Sequence, residues 1–226
     1  MIVSIHQPNY IPWLGYFDKI HQSDIHVFLD DVEYSKNNFI NRNKILMNGT
    51  EVFLTIPVGK KHHKLNINQI TIEDDRWKAK HIKTLKQAYS KAPHYSLYID
   101  KIESMILDGP PALSVLNSNI TKWIASEFGI STEFIYSSQI DKKPSLKKTD
   151  LLIEILNTLS AHTYLTGVGA INYLDTARFN TTELKWQDFE HPVYRQDTNK
   201  FVKNMSALDL LFNEGPNSKG FFVNGL

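Results

Sequence analysis

The chain has 226 residues, 42% of them hydrophobic, with 25 Lys+Arg against 24 Asp+Glu and a net charge of +1. That is ample material for a packed core and far too little basic excess for non-specific binding to a nucleic-acid backbone. There is no cysteine, which excludes disulfides, thiolate metal sites and a cysteine nucleophile. The opening MIVSIHQPNY has neither the basic nor the long apolar region of a signal peptide. No stretch approaches the roughly 18 apolar residues of a membrane span. A cytoplasmic protein without membrane insertion is expected.

Ile2 to Ile5 is short, apolar and β-branched, the pattern of a strand. His6 to Pro12 follows as an ordered loop with two prolines. Trp13, Tyr16, Phe17 and Ile20 then recur at helical spacing, and Ile25 to Leu29 reads as a second strand. The opening is therefore a βαβ unit with a parallel pair. Tyr34 to Asn43 is a polar, Asn-rich loop; Glu51 to Val58 and Ile67 to Ile72 read as strands around a basic KKHHK turn. Asp74-Asp75 suits a cap for a helix from Arg76 to Lys91. Two more amphipathic helices follow, over Tyr95 to Leu107 and Ala112 to Phe128. Further strands are expected at Glu133 to Tyr136, Thr163 to Leu165 and Glu183 to Phe189. Helices are expected from Thr149-Asp150 to Leu159, near Ile171 to Leu174, and over Ala207 to Asn213 behind Ser206. The sum is one α/β domain over 1–226: a Rossmann-like, mostly parallel sheet with a helical insertion over about 74–128.

Five segments carry the residue types of a site. Ligands bind outside the carboxyl ends of parallel strands, where His6, Gln7, Asn9, Tyr10 and Trp13 crowd into a proline-stiffened loop. Asp30, Asp31 and Glu33 follow the second strand; they suit orientation of a base, or Mg²⁺ together with a substrate phosphate. No spacing specifies zinc, and no metal ligand set is assigned. Lys36, Arg42 and Asn43 lie in an Asn-rich stretch suited to phosphate. Gly167 and Gly169 sit between a strand and an expected helix, before Tyr173-Leu174-Asp175, where backbone can approach an anion closely. His191 and Tyr194 belong to a second His-Pro segment with Arg195 and Gln196, His191 being a candidate second acid/base group. The expectation is that at least three of His6, Asp30, Arg42 and His191 line one cavity.

The stretches IHQPNYIPWLGYFDKI, VFLDDVEYSKNNFINRNKI, YLTGVGAINYLD, FEHPVYRQ and MSALDLLFNEG, in this order and spacing, resemble the WbqC-like family. The resemblance implies a bacterial protein of surface-polysaccharide or O-antigen biosynthesis. Two departures stand out. The family's glycine segment usually resembles YLSGPGG, where this chain has Thr166-Gly167-Val168-Gly169-Ala170, and Glu33 stands where the family tends to carry Gln. Three functions follow for weighing. One is acyl or aminoacyl transfer to a nucleotide-linked amino sugar from a CoA- or carrier-bound donor, with His6 as base. The second is a nucleotidylyltransferase-like or ligase-like nucleotide-binding enzyme; the HxGH signature of such enzymes is incomplete here, because Trp13-Leu14-Gly15-Tyr16 lacks the second His. The third is a non-catalytic binding protein of the polysaccharide machinery.

Overall fold

The computed structural model describes residues 1–62, 64–143, 145–172 and 174–223. His63 of the basic turn and Tyr173 of the glycine segment lie outside them. Five strands form one parallel sheet: β1 (Ile2–His6), β2 (Ile25–Phe28), β5 (Glu133–Tyr136), β6 (Thr163–Thr166) and β7 (Glu183–Trp186), in the order β5-β2-β1-β6-β7. The first unit is a parallel pair, with Val3 opposite Ile25 and Ile5 opposite Val27. Side chains alternate across a strand. Val3, Ile5 and Val27 therefore share one face, where they meet Leu151, Ile155 and Leu156 of α5 (Lys148–Thr158). Ser4 and His26, both fully buried, point to the other face and hydrogen-bond at 2.8 Å.

That second face is covered by α1 (Leu14–His21), every residue of which from Leu14 to Ile20 is buried. A helix apolar on one stripe needs one covered face. This one is also roofed by α2 (Arg76–Tyr89), α3 (Tyr95–Leu107), α4 (Leu113–Glu127) and α6 (Leu208–Glu214), which share its core. Two polar residues, Asp18 and Lys19, are buried with it.

The expected α/β class and Rossmann-like sheet stand, and several elements differ from expectation. Arg42–Met47 is not loop but a strand, β3, paired antiparallel with β4 (Thr50–Thr55). Its Ile45 and Leu46 enter the core, while Arg42 and Lys44 cover the exposed Phe53 ring at 4.6 and 5.7 Å. Ile67 to Ile72 is not a strand. It holds a 3₁₀ turn over Ile67–Gln69 and one isolated bridge from Thr71 to Ala112. The Gln69 side chain accepts the Asn66 amide at 2.9 Å, which closes a turn where a ladder was expected. Of the helix expected near Ile171 to Leu174, the described residues Ile171, Asn172 and Leu174 are not helical; a 3₁₀ turn over Val168–Ala170 precedes them. Ser206 does accept the Leu208 amide at the start of α6, and Gly215, at φ 56°, ends that helix. A short α7 (Gly220–Val223) follows. No helix among the described residues is long and apolar enough to cross a membrane.

Candidate functional site

The strand order reverses between β1 and β6, because β2 and β5 extend to one side and β7 to the other. Such a switch point leaves a crevice outside the carboxyl ends of the two central strands. A cavity of about 550 Å³ lies there, walled by His6 at the end of β1, Thr166 and Gly167 at the end of β6, and Gln187 to Phe189 after β7. A larger groove of about 800 Å³ runs beside Asn48 and Lys200, but its charged side chains are all exposed.

The loop that forms the near wall is held by buried amides. Asn43 Nδ2 donates to the carbonyls of Tyr10 and Ile11 at 3.2 and 2.9 Å. Asn117 Nδ2 donates to those of Pro8 and Ile40 at 2.9 and 2.7 Å. The Tyr16 hydroxyl donates to the Gln7 carbonyl at 3.1 Å. Between these anchors Ile11 sits at φ 36°, a conformation that β-branched residues rarely adopt and that persists only when its surroundings over-determine it.

His6 is half-buried, its ring edge-on to Tyr16 at 4.8 Å. Its Nδ1 lies 3.1 Å from the Gln7 carbonyl, which only accepts, so Nδ1 carries the hydrogen and Nε2 keeps its lone pair. Burial, then the Lys19 ammonium, lowers its pKa to about 3, so the imidazole is neutral at pH 7. Behind it runs a buried chain. Ser4 Oγ meets His26 Nδ1, and His26 Nε2 meets the Tyr16 hydroxyl at 3.3 Å. Burial, Lys19 and His6 hold His26 well below the usual imidazole range.

Trp13 lies directly over Gly15 and meets Phe189 edge-on at 5.4 Å. A Cβ on Gly15 would fall 2.3 Å from the indole. Alanine there would gain helix propensity of about 0.8–1 kcal/mol, yet no Cβ sits that close to a ring. Gly15→Ala is therefore expected to push Trp13 out of the cavity wall. The check is quenching of Trp fluorescence by acrylamide, which should increase, with ligand affinity falling about tenfold. Across the cavity the Gln187 amide donates to the Gly15 carbonyl at 2.8 Å and to Asp18 Oδ2 at 2.6 Å, tying the end of β7 to α1.

Of the residues singled out by sequence, His6, Gln7, Asn9, Trp13, Gly167 and Gly169 line this cavity. Neither glycine is pressed by protein on its Cα side: a Cβ at Gly169 would meet nothing within 4 Å, and one at Gly167 only Gln187 at 3.8 Å. The other residues lie elsewhere. Tyr10 is in the core, its phenol 3.0 Å from His81 Nδ1. Asn43 holds the loop from beneath. Arg42 lies over Phe53, and Lys36 is exposed. Tyr194 donates to the buried Asp209 at 2.9 Å. His191 is buried against Phe189, Phe201 and Tyr194, its Nδ1 2.8 Å from the Pro192 carbonyl. Of His6, Asp30, Arg42 and His191 only His6 walls the cavity, so the expected convergence of three does not occur. The reason is that Asp30 and Asp31 turn toward the segment after β5. Asp30 accepts from the Ser138 amide and from the hydroxyls of Ser137 and Ser138, while Asp31 pairs with Ser137 and with Lys142 at 2.7 Å. With a lysine ammonium already on Asp31 and the Asp30 oxygens taken, this donor set does not fit Mg²⁺. Glu33 is exposed and joins Asn66 through a backbone bridge.

The cavity also contains residues that sequence reasoning missed: Tyr16, Lys19, Gln187, Asp188 and Phe189. Tyr16 and Phe189 were legible as apolar positions. The available signal for Lys19 was a lysine set between Phe17 and Ile20 in an eight-residue helix joining two central strands.

No solved structure matches this chain. An uncharacterized protein of Mycobacterium tuberculosis is 33% identical over 220 residues, 94% of each chain. The WbqC-like protein family model matches residues 7–220, from the second residue of the cavity loop to the start of α7, and the chain belongs to that family.

Proposed function

We propose that this cavity binds a nucleotide-linked amino sugar and transfers an acyl or aminoacyl group to its amine, in bacterial surface-polysaccharide or O-antigen biosynthesis. The observation that carries this reading is the cavity at the switch point. It sets a neutral imidazole with a free Nε2 beside side-chain amides, an indole and an unobstructed glycine turn. The donor is a CoA- or carrier-bound thioester, and the protein acts in the cytoplasm, where such donors are made. The sugar amine attacks the thioester carbonyl, a C–N bond forms, and the C–S bond breaks as the thiolate leaves. The amine proton passes to His6 Nε2 and from there to the thiolate.

An imidazole of pKa about 3 does not deprotonate a free ammonium. It takes a proton once nitrogen has added to the carbonyl, when that nitrogen is far more acidic. Gln7 is the donor for the oxyanion, since Asn43 is committed to the loop carbonyls. Trp13 stacks on base or sugar, and Asp188, at the exposed rim, receives the amine.

The test mixes purified protein with amino-sugar nucleotides and acyl donors and follows product by mass. His6→Ala is expected to slow turnover by about 10²-fold or more. Unchanged product formation in that variant removes His6 as the base, and no product with any pair removes the reaction.

A further inference from the structure

We propose that Lys19 is the anion anchor of the cavity, a buried ammonium whose missing counter-charge is the phosphate or diphosphate of the bound ligand. The proposal rests on the reading of this cavity as the substrate site. Lys36 and Arg42, the cations expected from sequence to hold phosphate, do not reach that site.

Lys19 projects from the middle of α1 into the cavity wall and is 3% exposed. Among the described residues no carboxylate lies within ion-pair distance of it, and its one close charge-accepting surface is the Tyr16 ring at 5.9 Å. A buried ammonium without a partner is costly, and chains retain one where something else compensates. The groups around it sharpen the need. On its own helix the adjacent Asp18 is turned to Gln22 at 2.9 Å and Gln187 at 2.6 Å. From β1 and β2 come His6 and His26, two further bases, both depressed by Lys19. Asp188, the one cavity carboxylate, sits at the exposed rim. The cavity wall thus carries one buried cation beside two neutral imidazoles, and its carboxylate among the described residues, Asp188, stays at the rim, a lining that receives the phosphate of the ligand at Lys19.

Burial lowers the Lys19 pKa to about 7, so at neutral pH the empty site is only partly charged. An anion arriving beside it restores the charged form, and binding takes up a proton.

Titration calorimetry with pyrophosphate checks this, with sulfate in parallel because its charge is constant in this range. Both anions are expected to bind roughly ten- to thirtyfold more weakly at pH 8.5 than at pH 6.5. The binding heat should vary with the ionisation enthalpy of the buffer, with about half a proton taken up near pH 7 and close to one at pH 8.5. Lys19→Met should lose binding at least tenfold and, freed of an unpaired buried charge, melt about 2–6 °C higher. Lys19→Arg should keep binding but lose the pH dependence, because a guanidinium stays charged. Equal anion affinity in wild type and Lys19→Met, or no anion binding by the wild type, overturns the anchor. Anion binding that depends on Lys19, in a protein that acylates no amino sugar, keeps the anchor and removes the transfer reaction.

Discussion

Near pH 5 the protein is expected to lose stability most steeply on acidification, by up to about 1.4 kcal/mol per pH unit for each buried imidazole held neutral. His6 and His81 are lowered to about 3 and about 4, and His26 lies well below its usual value, with burial the largest cause in each. In the unfolded chain each imidazole takes a proton near pH 6.5, whereas in the fold His81 does so only near pH 4 and His6 near pH 3, and His26 stays well below its usual range. The unfolded state therefore binds more protons between these values, and acid favours it by up to about 1.4 kcal/mol per group per pH unit. The imidazole contribution is intact above about pH 6.5 and is lost on the way down. Asp209 opposes the trend: its burial raises the carboxyl pKa, so the folded state takes up that proton first. Urea midpoints measured at half-unit steps of pH read the slope directly. His81→Gln should flatten it by about one third, and a midpoint constant between pH 6.5 and 4.5 would show that these rings are not held neutral.

The second large effect belongs to Asn117. Its Nδ2 is the donor for both the Pro8 and Ile40 carbonyls, in a fully buried position. Asn117→Ala leaves two buried acceptors without a donor, at about 1–3 kcal/mol for each unmet group. Its own Oδ1 has no partner, which reduces the net loss. The expected cost is about 2–4 kcal/mol, a fall of about 5–15 °C in Tm for a chain of this length. Because Pro8 belongs to the cavity loop, ligand affinity should fall with stability. Asn43→Ala should behave alike, since its amide serves Tyr10 and Ile11 in the same way. Weakened ligand affinity at unchanged Tm in Asn43→Ala would return that residue to the substrate-binding role that its sequence position suggests.

Much of the frame was legible without coordinates because it depends on local periods and turn chemistry. Ile2 to Ile5 and Ile25 to Leu29 are β-branched runs around a helical repeat, and that alone requires a βαβ opening with its loop at a strand end. The proline-rich loop and the Gly167–Gly169 turn announce themselves by composition, and both wall the cavity. The strand β3 escaped notice because its polar residues Arg42 and Lys44 cover the exposed Phe53, a cross-strand relation invisible along the chain.

The sequence by itself thus determined the family, the α/β class and, among its five candidate segments, the two whose singled-out residues wall the cavity. The tertiary structure alone decided the use of each charged or polar side chain. Asp30 and His191 stand near the right strand ends, yet distant segments claim them: Ser137 and Ser138 for one, Phe189 and Phe201 for the other. Lys19 reads as an ordinary solvated lysine until the sheet covers one side of α1 and the helical roof covers the other. Whether such a group is solvated, satisfied or left waiting for a ligand depends on what long-range packing places against it, and short-range pattern carries no record of that.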